Sequence, residues 1–170
     1  MLVPFLALVL WAAALEAERP RPRRTLALLA AAGLLRPEAW VLSGLYVLWA
    51  ARRDVAAYAL AAVAPLLWAA VDLAVTGDPL FSLHATSELA DDLNRPQGLA
   101  EAVRSFFTFL GGTAREPVAV LGAVGAVLLW PRRRERPVQV LAGLFLGGVL
   151  TFAATGVAGL SVLPRYLTAP

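Results

Sequence analysis

The sequence has no cysteine, no lysine and a single histidine, with few charges of any kind. Without cysteine there is no disulfide framework and no thiolate metal site, and the redox compartment leaves no mark. All 15 basic residues are arginine, which reads as a codon bias of a GC-rich genome rather than as chemistry. Charged residues make up only 16% of the 170 residues, against about a quarter in ordinary soluble domains. In their place the chain is 59% hydrophobic, with a mean hydropathy of +0.69. That balance belongs to the membrane class. The formal charge of +3 could suggest nucleic acid as a partner, but the arginines stand in short clusters between apolar runs, as topology signals do. No nucleic-acid partner is therefore expected, and lipid is.

A span needs about 20 apolar residues. The apolar segments are residues 2–15, 25–51 broken at 36–38, 55–75, 117–130 and 138–163, in one transmembrane region covering 1–170. The expected fold is all-α: a polytopic transmembrane helical bundle with a broken helical hairpin. Pro65 falls inside the third segment as a tolerated kink. Met1 enters an apolar run with no basic n-region, and the chain stops soon after another, so the sequence reads as part of a longer protein.

Three basic clusters, Arg19 to Arg24, Arg52-Arg53 and Arg132 to Arg136, set the expected topology. The positive-inside rule places them in the cytoplasm of a multi-pass cell-membrane protein. Residues 76–116 then form an external loop, and the segment 25–51 must leave and return on the same side. Each of its halves reaches only about 16–20 Å, which suits a re-entrant hairpin folded at Arg36-Pro37-Glu38. The rival is one tilted helix with Arg36 and Glu38 in its middle. In the loop, Thr76-Gly77-Asp78-Pro79 marks a helix end at which Asp78 caps the next segment. Short interfacial helices are expected over Ser82 to Leu93 and Leu99 to Phe109. Gly143 and Gly147 match a small-xxx-small helix contact.

Ionisable groups at membrane depth are functional candidates by default, which singles out Arg36 and Glu38. A guanidinium suits phosphate oxygens, although both residues could equally tie the hairpin tip to its neighbours. Arg165 and Tyr166 come next, either as a phosphate ligand at the outer end of the last segment or as an ordinary interfacial anchor. No metal site is expected. The residues that could hold a hard divalent cation are His84, Glu88, Asp91 and Asp92, which an acidic helix face explains as well.

The stretch Gly33-Leu34-Leu35-Arg36-Pro37-Glu38-Ala39-Trp40, after a Pro/Arg loop, resembles segments of bacterial multispanning C-type-fold glycosyltransferases. These mannosyltransferase-like enzymes take sugars from polyprenyl-phosphate carriers. Gly77-Asp78-Pro79-Leu80-Phe81 and Pro164-Arg165-Tyr166-Leu167 also look like parts of such proteins. The resemblance implies inverting sugar transfer at the outer face, with or without a divalent cation, to an acceptor activated by an acidic base in the first external loop. That loop would precede Met1, so the base has no position here and this chain alone is expected to be inactive. On charge and topology, Arg36, Glu38, Arg165 and Tyr166 are then the substrate-binding candidates. A transporter or channel subunit with a broken-helix path is the alternative, as is a non-catalytic membrane assembly protein.

Overall fold

The computed structural model describes residues 2–92, 104, 108 and 117–157. Among these residues there are helices and no strands. In chain order they are α1 (Leu2–Glu18), α2 (Pro22–Leu35), α3 (Glu38–Ala50), α4 (Val55–Thr76), α5 (Phe81–Asp92), α6 (Pro117–Leu129) and α7 (Arg136–Val157). A single 3-10 turn, Trp130–Arg132, follows α6.

The helix boundaries follow local chemistry. Pro22 opens α2, where its missing N–H is no loss. Arg36 is extended, with φ −151° and ψ 130°, because a residue before proline is pushed out of the helical region. Asp54 caps α4 by accepting from the Ala56 N–H at 3.0 Å. Gly77 ends α4 with φ 81°, a left-handed conformation that suits a residue without Cβ. Between these caps α4 runs unbroken through Pro65.

The α2–α3 pair folds back on itself. Arg23, at the start of α2, meets Asp54, just after α3, at 3.3 Å. Thr25 near the start of α2 and Tyr46 near the end of α3 both bond Glu16. The two helices are therefore antiparallel, and the reversal falls at Arg36-Pro37. The tip stops short. A Cβ on Gly33 would lie 2.9 Å from Ala64 Cβ, and the Trp40 and Trp68 rings meet edge to face at 5.9 Å. Both contacts fall on the middle of α4, with Trp68 roughly 12 Å and Ala64 roughly 18 Å before its far end.

The core sits among α1, α2, α3 and α4, built on Phe5, Val9, Leu26, Leu29, Ala39 and Val47. Helix α7 packs against α1 and α3, and Phe152 and Thr151 on it are buried. Two helices, α4 and α7, are long and apolar enough to cross a membrane. Only 6% of the most apolar stretch of α4 and 17% of that of α7 is buried in the protein, so neither is a core helix enclosed by its neighbours. Over the described residues of the 117–130 segment, α6 has 13 residues, about 20 Å against a hydrocarbon layer of about 30 Å, and the residues directly before Pro117 lie outside the described ones. In the 76–116 segment, α5 occupies the first interfacial stretch. The second, 99–109, lies outside the described residues except for Arg104 and Thr108, which are helical.

Candidate functional site

Two charged sites stand out, one at each end of the α2–α3 hairpin. At the tip, Arg36 Nη2 donates to Glu38 Oε1 at 2.5 Å, and both side chains are mostly buried. The Arg36 guanidinium also lies over the Phe5 ring of α1, 5.3 Å from its centroid. Trp40 closes the turn by donating its indole N–H to the Gly33 carbonyl at 3.0 Å. Glu38 Oε2 is buried and has no hydrogen-bond partner. Such a group is expensive to desolvate, which makes the tip a place where a donor from a ligand would gain more than at the surface.

At the other end lies a node that sequence reasoning missed. Glu16 is buried, only 1% exposed, and collects donors from three other helices. Its Oε2 accepts from the Tyr46 hydroxyl at 2.5 Å and from Thr25 Oγ1 at 3.3 Å. Its Oε1 accepts from Arg136 Nη2 at 2.5 Å and Nε at 3.1 Å. Arg136 is itself held over the Trp49 ring at 5.1 Å. Beside this node, between α7 and the α1–α3 group, is a cavity of about 500 Å³. Leu29, Leu42, Leu45, Leu146 and Val149 wall it, and its polar lining is confined to Glu16, Thr25, Tyr46, Trp49 and Gln139. No protein-family model, curated protein or solved structure matches this chain. The site is accordingly read from its own geometry.

The signal for Glu16 is present in α1. Its buried residues are Phe5, Val9, Ala12 and Glu16, one helical stripe at steps of four, three and four. Glu16 extends the core-facing stripe and Glu18 does not. Seen only as the polar tail of an apolar run, Glu16 draws no notice.

The remaining candidates are dispersed. His84 Nδ1 is 2.8 Å from Asp78 Oδ2, and no cluster of three potential metal ligands occurs among the described residues. Asp78 also accepts from the Leu80 N–H at 2.9 Å. That backbone bond, followed by the contact with His84, holds the Asp78 carboxyl below its ordinary range. Asp72 of α4 accepts from both the backbone N–H and the hydroxyl of Ser82, fastening α5 to α4. Glu88 is exposed. Asp91 and Asp92 close α5, but their side chains lie outside the described residues, as do Arg165 and Tyr166 entirely.

Proposed function

We propose that this chain is a multi-pass part of a cell-membrane glycosyltransferase that moves a sugar from a polyprenyl-phosphate carrier to an acceptor on the outer side. The observation that supports it is the half-length hairpin. With α4 as a span, the Arg36–Glu38 tip lies at mid-depth, where non-helical backbone and charge are retained only against protein or a water-filled site. A carrier phosphate in that site would compete with Glu38 for Arg36, and the transfer would be aided by guanidinium stabilisation of the phosphate leaving group. Arg165 and Tyr166 are proposed to join the same site from the end of the last apolar segment. The orientation rests on the three basic clusters, proposed to be cytoplasmic, which leaves residues 76–116 outside. Helix α7 runs unbroken over Arg136–Val157, so it holds no second interruption to pair with the one at Arg36-Pro37-Glu38, which favours the enzyme over a transporter built on paired broken helices.

The test is sugar transfer from polyprenyl-phosphate mannose in membranes carrying the full-length gene product. The double variant Arg36→Met/Glu38→Leu removes both charges together, so no lone buried charge remains to unfold the protein. Insertion is expected to survive and transfer to fall by about a hundredfold or more, the scale of losing a positioned electrostatic group. Wild-type turnover in that variant rejects the tip as the substrate site. Absence of transfer by the wild type from any polyprenyl-phosphate sugar rejects the enzyme.

A further inference from the structure

The cavity beside Glu16 is separate from the hairpin tip, and its shape and electrostatic setting point to an occupant. Its lining on α7 runs from Gln139 to Leu150. At 1.5 Å per residue that is about 16 Å, close to half of a hydrocarbon layer of about 30 Å. A volume of about 500 Å³ lies in the range of ligand pockets, about 300–1,000 Å³. The walls are aliphatic along this length, and the polar groups gather at one end. Gly143 is part of the lining, and a Cβ built on it meets nothing within 4 Å. Left unfilled, such an apolar space forfeits the dispersion contacts of its walls.

The polar end coincides with the basic end of the bundle. The Glu16–Arg136 and Arg23–Asp54 pairs bring the three inter-helix connections around residues 19–24, 51–54 and 130–136 together. Ten arginines (19, 21, 23, 24, 52, 53, 132, 133, 134 and 136) meet four carboxylates there: Glu16, Glu18, Asp54 and Glu135. Arg136 is satisfied by Glu16 and Arg132 has an exposed partner in Glu135 at 3.9 Å, so the surplus charge comes chiefly from exposed neighbours such as Arg133 and Arg134. Basic pockets between membrane helices attract anionic headgroups.

We propose that this cavity holds one hydrocarbon chain of an anionic phospholipid from the leaflet at the basic end, with the phosphate against Arg132 to Arg134. The second chain lies outside, along the exposed apolar face of α7 that includes Leu141 and Phe145. This inference rests on the membrane placement proposed above, not on the sugar-transfer chemistry.

The protein in nanodiscs of equimolar phosphatidylglycerol and phosphatidylcholine is transferred to mild detergent, and retained lipid is counted by intact-protein mass spectrometry. One phosphatidylglycerol per chain is expected, favoured at least about fivefold over phosphatidylcholine. Gly143→Leu, which fills the cavity, should lower retention by about fivefold or more, with Gly143→Ala intermediate. Gly125→Leu, placed in open space away from the cavity, should retain lipid as the wild type does. The exposed pair Arg132→Gln/Arg134→Gln should abolish the headgroup preference while keeping the fold. Equal retention of the two lipids, no retained lipid, or wild-type retention in Gly143→Leu overturns the proposal. So does displacement of phosphatidylglycerol by equimolar polyprenyl phosphate, which would assign the cavity to a single-chain carrier. Failure to insert into nanodiscs at all refutes the membrane placement instead.

Discussion

Glu16 shows how much a single buried carboxylate depends on its neighbours. Arg136 supplies the opposite charge, while Tyr46 and Thr25 supply neutral donors. Removing the charge partner leaves an unpaired buried anion, whereas removing a hydroxyl leaves it one bond poorer. Arg136→Met is therefore expected to cost about 3 kcal/mol, at the lower end for a broken buried pair because Arg136 keeps a solvent-facing side. Tyr46→Phe should cost about 1–1.5 kcal/mol. Unfolding in detergent measures both, and the reverse order would show that the node is not held by charge. At this scale the sequence was partly legible. Arg36 and Glu38 stood out because charge is rare in apolar runs, but their mutual ion pair was not implied by a separation of two across Pro37. Glu16 was hidden because the arginine that neutralises it is 120 residues away.

At the scale of elements, the glycines separate those that carry a contact from those that do not. Gly33 allows α2 to approach α4 and Trp40, and a Cβ there would lie 2.9 Å from atoms of both. Gly33→Ala should destabilise the protein by about 1–3 kcal/mol, the range for overpacking. Gly44 in α3 has nothing within 4 Å of a built Cβ, so Gly44→Ala should stabilise by about 0.5–1 kcal/mol through helix propensity alone. Thermal unfolding of the two variants in one detergent checks the opposite signs. The Gly143/Gly147 pair divides in the same way. A Cβ on Gly147 would collide with the Leu42 side chain of α3, while Gly143 faces the cavity. The motif spacing showed two small residues on one face; what faced each of them depended on the tilt of α7. Helix ends were more legible, since Pro37, Gly77 and Asp78 act through their own backbone neighbours.

At the scale of the whole molecule, the charges of the described helices and their connections up to Glu88 and from Trp130 onward are segregated along the bundle, apart from the Arg36–Glu38 pair at the tip. The arginine-rich connections share one end, whereas Asp72, Asp78, His84 and Glu88 lie at or beyond the far end of α4. Because the chain has no cysteine, single-cysteine variants report sidedness without background. Arg53→Cys and Arg133→Cys should both be labelled from the cytoplasmic side only, and Glu88→Cys from the opposite side. Labelling of Arg53→Cys and Arg133→Cys from different sides would contradict the external placement of residues 76–116 between two crossings, and labelling of Arg24→Cys and Arg53→Cys from different sides would contradict the re-entrant hairpin.

The sequence by itself determined the helical class, the break at Arg36-Pro37, the cap at Gly77 and the grouping of arginines between apolar runs. Each of these depends on residues within a turn or two of one another. The tertiary structure alone decided that the hairpin tip stops at the middle of α4, that Glu38 keeps a buried oxygen without a partner, and that Glu16 joins four helices beside an apolar cavity. Those features depend on which helices meet and how far each extends past its neighbour. Apolar runs that are hydrophobic on nearly every face leave that choice to packing.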